Sequence, residues 1–248
     1  MAKTEVEVEE SPAEVAFDWA NFIRKPSEQV KMNFALLYGP PGGGKTYTAA
    51  TASQVAELSP VLIIDTEGST YGSLKEFDDE NIDIIPVTNH EGFTLTLEAA
   101  LAGELPRQYK TIIIDTFDVA YDRAKAHFES FAADNFKMWA MVKDWALDIA
   151  NTFRTAEFFG IMVIHAKREV LESGRILDQI ALAGSAKDII PGIPDIVAYV
   201  ERNDLVTTAW FEASHNRVSK NRHGLPEEME DPSFEKVLEY VNNKKKED

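Results

Sequence analysis

The residues with the plainest chemical meaning form one run, Gly39-Pro40-Pro41-Gly42-Gly43-Gly44-Lys45-Thr46. Its spacing is G-x-x-x-x-G-K-T, the pattern of a loop that wraps a chain of phosphate groups. Glycines let successive backbone N–H groups point at one phosphate, and the N-terminus of the following helix, the positive end of its dipole, attracts the same phosphate. The Lys45 ammonium would neutralise phosphate charge, the Thr46 hydroxyl would bind Mg²⁺, and the next residue, Tyr47, is included in the predicted binding loop. A flexible glycine turn is the alternative.

A carboxylate that could complete a metal site ends the apolar run Thr111–Asp115. In phosphate-loop proteins an acidic residue at such a strand end holds Mg²⁺, usually through water. Apolar strands often end in Asp, so the pattern gains its meaning from the phosphate loop. We therefore predict Thr46 and Asp115 as the metal residues. Asp118, three residues further on, is predicted to cap a helix.

Two further polar residues follow apolar runs. Glu67 comes after Val61–Asp65, where a carboxylate could orient the water that attacks the terminal phosphate. The alternative is a turn made by D-T-E-G, and Asp65 is predicted to be structural. His165 ends the run IMVIH, where it could sense the terminal phosphate, or could simply lie at the rim of the core.

The most basic stretch runs from Ala213 to Pro226 and contains no carboxylate. Within it, Lys220-Asn221-Arg222 is either a solvated turn or a pair of cations presented to a triphosphate. That triphosphate could belong to a neighbouring subunit, and cations acting in this way accelerate phosphoryl transfer by about a thousandfold or more.

The elements that must position these residues alternate between strand-like and helix-like segments. Continuous apolar runs predict strands covered on both faces, near residues 34–38, 61–65, 82–87, 111–115 and 161–165. The longest predicted helix covers about Ala124–Phe159. The alternation predicts an α/β fold with a doubly wound, mostly parallel sheet. We divide the chain into an arm (1–33), a core (34–231) and a C-terminal helix with a charged tail (232–248).

The composition narrows the class of protein. The chain has 248 residues and no cysteine, which excludes disulfides, thiolate catalysis and cysteine-based metal sites. No apolar run approaches the roughly 18 residues that a membrane span needs, and no secretory signal is visible, so we expect a cytoplasmic protein with no membrane partner. The net charge of −17 argues against a broad nucleic-acid surface. The acidic residues are divided equally between the two halves of the chain, 21 in each, but 16 of the 25 basic residues lie in the second half, which is therefore less acidic (net −5 against −12).

Taken together, these motifs resemble the RecA-like recombinase core, and more closely the compact phage-type RecA-like ATPases of single-strand annealing and recombination. The resemblance covers about Phe34 to Pro226. It implies ATP and Mg²⁺ as cofactors, with Glu67 as the catalytic glutamate. His165 stands where RecA has a glutamine sensor. Lys220 and Arg222 match a late basic motif that reaches ATP across a subunit interface, which implies a homo-oligomer, either a ring or a filament.

The same resemblance implies single-stranded DNA as a partner. In that family DNA is bound by mobile loops after the strand that ends in the metal-binding aspartate, here Asp115, and after the sensor strand. By this resemblance the loops are roughly Asp118–Lys137 and Ala166–Gly192. The second loop carries the cations Lys167, Arg168, Arg175 and Lys187 among a similar number of carboxylates. The arm contains Phe17-Asp-Trp-Ala20, an F-x-x-A pattern like a subunit-docking motif, or else ordinary apolar packing.

Three functions remain open from the sequence. The first is an ATP-driven oligomer that acts on single-stranded DNA. The second is a regulator or loader whose ATP cycle controls protein partners without DNA. The third is a small-molecule kinase, which the late basic motif and Glu67 disfavour because a kinase needs an arginine-bearing lid over its second substrate.

Overall fold

A computed structural model of the chain describes residues 32–244. The predicted arm therefore lies outside the described residues except for its last two positions. The F-x-x-A pattern at Phe17–Ala20 lies outside them completely, as does the end of the charged tail.

Every apolar run predicted as a strand forms one. Within residues 32–244 the sheet has ten strands, of which six neighbouring ones are parallel: β1 (Phe34–Gly39), β2 (Val61–Asp65), β3 (Ile82–Pro86), β4 (Thr111–Asp115), β5 (Phe159–Val170) and β7 (Ile196–Asn203). They are mostly buried, except for the edge strand β3 and the second half of β5. Four antiparallel additions complete the sheet: β6 (Ile176–Ile180), β8 (Val206–Trp210), β9 (Lys220–Asn221) and β10 (Glu228–Glu230). The main order is β10-β8-β7-β1-β5-β4-β2-β3, with β6 on β5 and β9 on β7.

Helices cover both faces, which explains why the strands are continuous apolar runs rather than alternating ones. The helices are α1 (Lys45–Ala50), α2 (Thr70–Ser73), α3 (His90–Ala102), α4 (Phe117–Glu129), α5 (Asn135–Thr155), α6 (Ala186–Ile189) and α7 (Phe234–Lys244). Alternate residues of a strand enter different cores. Leu36 packs in the core that contains Tyr121 of α4, whereas Leu37 packs in the core that contains Ala49 of α1 and Val237 of α7. The predicted α/β class with a mostly parallel sheet is confirmed.

The single long helix predicted over Ala124–Phe159 is wrong. The chain forms α4 and α5 instead, with a break between Glu129 and Asn135. The Asp134 side chain accepts a hydrogen bond of 2.8 Å from the backbone N–H of Lys137, so Asp134 caps a new helix.

The two loops predicted to hold DNA are also more ordered than expected. Most of Asp118–Lys137 belongs to α4 and to the start of α5. In the second segment β5 continues five residues past its pairing with β1 and returns as β6, so Ala166–Ile180 is a β-hairpin rather than a loop. Among residues 32–244, no helix has the length and apolarity that crossing a membrane requires.

Candidate active site

A cavity of about 830 Å³ lies at the sheet edge where the parallel strands end, and the phosphate loop (Gly39–Thr46) forms part of its wall. Its volume is within the range of small-molecule sites. Carboxyl ends of neighbouring parallel strands meet at this edge, so residues far apart in sequence converge here. Besides the loop, the lining includes Tyr47, Glu67, Thr116 and His165.

The phosphate loop is held in a tight shape by its neighbours. Gly44 has a φ of +91°, a left-handed conformation that favours glycine, and a Cβ there would lie 2.8 Å from the Thr207 side chain. The buried Lys45 Nζ donates to the carbonyl oxygens of Gly39 at 3.0 Å and Pro40 at 2.8 Å. Burial lowers the pKa of Lys45, while nearby carboxylates oppose that shift. The ammonium is therefore placed inside the loop, where phosphate oxygens would replace the carbonyls.

Thr46 and Asp115 meet as the sequence predicts. The Thr46 hydroxyl donates to Asp115 Oδ2 at 2.9 Å, and the Thr70 hydroxyl donates to the same oxygen at 3.3 Å. The other oxygen, Oδ1, is buried and has no hydrogen-bond partner within residues 32–244. Burial raises the pKa of Asp115 to about 6, and the charges of Asp65 and Glu67 act in the same direction. A hydroxyl and a poorly solvated carboxylate with a free oxygen fit Mg²⁺, a cation that prefers oxygen ligands.

Asp65 builds the turn that carries Glu67. Its carboxylate accepts hydrogen bonds from the backbone N–H groups of Glu67 at 3.0 Å, Gly68 at 2.8 Å and Thr70 at 3.3 Å. The side chain of Glu67 reaches the cavity, where the Thr116 hydroxyl donates to its Oε1 at 3.4 Å. Asp65 therefore fixes the backbone from which Glu67 projects.

His165 and Asp118 form a close pair beside Glu67. His165 Nδ1 lies 2.9 Å from Asp118 Oδ2 and 3.7 Å from Glu67 Oε1, and the backbone N–H of His165 donates to Asp118 Oδ1 at 3.1 Å. The hydrogen bond from Asp118 raises the pKa of His165 despite partial burial. Burial alone would raise the pKa of Asp118, but the bonds and charge of His165 outweigh it and the pKa is lowered.

The prediction that Asp118 caps a helix is wrong. Thr116 occupies the N-cap of α4, and Asp118 lies in the first turn with its carboxylate turned toward His165. Sequence reasoning also missed four residues of the site: Thr70, Thr116, Arg202 and Thr207. Asp118 could have been found from its place three residues after the strand end that carries Asp115. Arg202 and Thr207 carry no motif, so only the β7–β8 pairing reveals them.

Lys220 and Arg222 lie away from this cavity. Lys220 pairs with Val197 at the start of β7, and the backbone N–H of Arg222 donates to the carbonyl of Asp195 at 3.3 Å. Arg202, at the cavity, is five residues further along the same strand, which corresponds to about 17 Å. The two predicted cations are thus at the opposite edge of the sheet from their own phosphate loop.

The four cations predicted to contact DNA are in the β5–β6 hairpin or just after it, outside the cavity lining. Lys167 and Arg175 are exposed. Two others face carboxylates: Arg168 Nε donates to Asp178 Oδ1 at 3.0 Å, and Lys187 Nζ donates to Glu169 at 3.2 Å. Half of the predicted positive charge is therefore locally neutralised.

A mostly parallel α/β sheet with a phosphate loop at its carboxyl edge defines the class of P-loop nucleotide-binding proteins. The model of the AAA domain family matches residues 31–223, most of the chain, and the chain therefore belongs to that family of P-loop ATPases. Membership indicates nucleotide binding and hydrolysis, with ATP and usually Mg²⁺. No curated protein sequence matches the chain significantly.

Proposed function

We propose that the protein binds and hydrolyses ATP as a cytoplasmic, RecA-like oligomer that acts on single-stranded DNA in annealing, recombination or repair. One observation carries the ATPase part of this proposal. Lys45, Thr46, Asp115, Glu67 and His165, from four separate segments, meet around a single cavity. Their types are those that phosphoryl transfer needs: a cation for phosphate, two oxygen ligands for a metal, and a carboxylate near a water site.

In this proposal the phosphate loop binds the β-phosphate with its backbone N–H groups, and Lys45 Nζ moves from the Gly39 and Pro40 carbonyls to phosphate oxygens. Thr46 and Asp115 would hold Mg²⁺, which supplies charge neutralisation to the β- and γ-oxygens when bound. The free Asp115 Oδ1 is the oxygen available for this role.

Glu67 acts as the base. It accepts a proton from the water whose oxygen attacks the γ-phosphorus, while the bond to the bridging oxygen breaks and ADP leaves. The Thr116 hydroxyl orients the Glu67 carboxylate, and the cationic form of His165 stabilises it through the 3.7 Å contact. Asp118 keeps His165 in place and cationic.

Two variants test this active site. Lys45→Ala should lose ATP binding, measured with a fluorescent ATP analogue, and unchanged affinity would contradict the role of the phosphate loop. Glu67→Gln should bind ATP with nearly unchanged affinity but hydrolyse it at least about a hundredfold more slowly. Glu76→Gln, an exposed glutamate at the cavity mouth, is the matched control and should hydrolyse ATP normally.

Lys220 and Arg222 support the oligomeric part of the proposal. They are too far from their own phosphate loop to contact its nucleotide, so they would act on the nucleotide of a neighbouring subunit. Mixing Arg222→Ala protomers with Lys45→Ala protomers tests this, because each variant alone lacks one half of the shared site. Recovery of ATPase activity in the mixture is expected, and no recovery at any ratio would exclude action across an interface.

The β5–β6 hairpin supports the DNA part of the proposal. It projects from the edge that carries the active site and presents Lys167 and Arg175 to solvent. With so few free cations, DNA binding should be weak and should decrease steeply with salt. ATP hydrolysis should rise when single-stranded DNA is added at low salt. The Lys167→Gln/Arg175→Gln variant should lose that rise and keep its basal rate.

The pairing of Arg168 with Asp178 and of Lys187 with Glu169 favours a second candidate, a regulator or loader that acts on protein partners. A hairpin of balanced charge suits a protein surface better than a phosphate backbone. The same assay separates the two functions. Absence of both DNA stimulation and salt-sensitive DNA binding would remove the first candidate and leave the second.

A further inference from the structure

Arg123 joins helix α4 to the ends of two strands beside the candidate active site. Its Nη2 donates to the carbonyl oxygen of Thr66 at 2.8 Å, and its Nη1 donates to the carbonyl oxygen of Val87 at 2.8 Å. These two residues directly follow β2 and β3, and the N–H of Val87 also donates to the carbonyl oxygen of Asp65 at 2.8 Å. The guanidinium therefore binds both strand ends at once, which its planar fork of N–H donors allows.

The Thr66 carbonyl belongs to the peptide group that links Thr66 to the proposed base, Glu67. The N–H of the same peptide group donates to Asp65 Oδ1 at 3.0 Å. Arg123 and Asp65 thus hold the two sides of one peptide group, a cation on its oxygen and a carboxylate on its N–H. Hydrogen bonds to charged groups are stronger than those between neutral groups, so the backbone in front of Glu67 is firmly held.

The side chain of Glu67 has weaker restraints of its own. Within residues 32–244 its carboxylate has one hydrogen bond, at 3.4 Å from the Thr116 hydroxyl, and one ion pair, at 3.7 Å with His165 Nδ1. Both distances are long for such contacts, so they restrain the carboxylate less than short ones would. The backbone must therefore supply much of the precision with which the carboxylate faces a water beside the terminal phosphate.

Helix α4 is held in the fold by contacts that do not involve Arg123. Tyr121 and Ala124 of this helix are buried, and the Tyr121 hydroxyl donates to the carbonyl oxygen of Ala183 at 2.9 Å. Removing the guanidinium should therefore leave α4 in place and release only the two carbonyl groups that it binds.

We propose that Arg123 is a positioning residue for ATP hydrolysis. By holding the carbonyl of Thr66 it fixes the backbone from which Glu67 projects, and so keeps the carboxylate within reach of the attacking water. The proposal rests on the proposed ATPase function and adds a residue that lies in none of the sequence motifs. Arg123 does not line the cavity that the described residues form, so it acts through Glu67. Its loss should slow the chemical step and leave ATP binding unchanged, because binding uses the phosphate loop.

The test uses Arg123→Met in the full chain, which keeps an apolar stem and removes every donor. The kcat of ATP hydrolysis should fall about ten- to a hundredfold, as expected when a reacting group is displaced by about 1 Å. The affinity for a fluorescent ATP analogue should change less than about twofold. Arg123→Lys, which keeps the charge and one donor group, should recover part of the lost turnover. Arg107→Gln is the matched control, since Arg107 pairs with Asp83 of β3 outside the cavity lining, and it should hydrolyse ATP at the normal rate.

A double-variant cycle with Glu67→Gln separates positioning of the base from a merely structural role. In the Glu67→Gln chain, Arg123→Met should lower single-turnover hydrolysis less than about threefold, because the group through which Arg123 acts is already lost. Normal turnover of Arg123→Met alone, an equal loss in both backgrounds, or a loss of ATP affinity as large as the loss of turnover would overturn the proposal. If circular dichroism shows that Arg123→Met does not fold, the same cycle with Arg123→Lys decides by the same criteria. Near-normal turnover of Glu67→Gln itself would instead contradict the proposed active site.

Discussion

Replacing Asp115 by Asn should stabilise the nucleotide-free protein while it removes Mg²⁺-dependent ATP hydrolysis. The carboxylate is buried at the end of β4, its pKa is raised from 3.8 to about 6, and burial is the main cause. A group that binds its proton more tightly in the folded state than in the unfolded state destabilises the fold once it must ionise. The ionised form of Asp115 therefore lowers the free energy of unfolding of the protein.

The magnitude follows from the pKa values. A shift of the pKa from 3.8 to about 6 lowers the free energy of unfolding by about 3 kcal/mol at neutral pH, where Asp115 is ionised in both the folded and the unfolded state. The same shift destabilises the fold by only about 1 kcal/mol near pH 4.5, because Asp115 keeps its proton in the folded state there. The Asn carbonyl can still accept from Thr46 and Thr70, but its amide takes the place of the unpartnered Oδ1 and leaves a buried donor, which costs about 1 kcal/mol.

We therefore expect Asp115→Asn to raise the free energy of unfolding by about 2 kcal/mol near pH 7 and to leave it nearly unchanged near pH 4.5. Urea denaturation of the metal-free protein at the two pH values measures both numbers. Asp118→Asn is the matched control with the opposite sign, since the pKa of Asp118 is lowered and its ionised form stabilises the fold. Destabilisation by Asp115→Asn near pH 7, or equal effects at both pH values, would refute the reasoning.

Three further predictions, the second of which includes a double variant, test other parts of the structure. The pKa of His165 is raised by its carboxylate partner, so its stabilisation is present below about pH 6.5 and is lost as the pH rises through the folded value. His165→Gln should thus lower the free energy of unfolding by about 1–2 kcal/mol near pH 6 and by less near pH 8.5, in urea titrations at both pH values. Gly44→Ala should lower the free energy of unfolding by about 1–3 kcal/mol and abolish binding of an ATP analogue. Adding Thr207→Ala removes the 2.8 Å contact but should restore stability only in part, because the positive φ at position 44 remains. Gly160→Ala places a Cβ 2.4 Å from the Phe153 ring, so thermal unfolding should shift downward by several degrees while ATP affinity of the folded protein stays unchanged.

The sheet and the centre of the site could be predicted from the sequence because both depend on local patterns. Continuous apolar runs gave the central strands, since a strand buried on both faces needs no polar alternation. The phosphate loop follows from its own spacing, and Asp115 follows from its place at the end of an apolar run in a chain that has such a loop. The Thr46 hydroxyl lies 2.9 Å from Asp115 Oδ2 because the parallel strands that precede both residues end at the same edge of the sheet.

The features of the site and the fold that the sequence does not predict depend on contacts between distant segments. The role of Asp118 needs the 47-residue separation from His165 to be closed by the fold. For residues 166–180 the sequence predicts a loop, because Gly174 and the surrounding charges are typical of a flexible segment, whereas backbone pairing such as that of Val170 with Ile176 makes the segment a hairpin.

The close approach of the phosphate loop to β7 and β8 also limits which sequences this chain can accept. A Cβ on Gly39 or Gly43 would collide with the carbonyl oxygen of Val200, and a Cβ on Gly44 would collide with Thr207. A side chain larger than threonine at position 207 would therefore crowd the phosphate loop, so the size of this residue is restricted together with that of the glycines. A designer who wishes to graft a new nucleotide specificity onto this scaffold should treat the loop and the β7–β8 hairpin as one unit, and should transplant or vary them together.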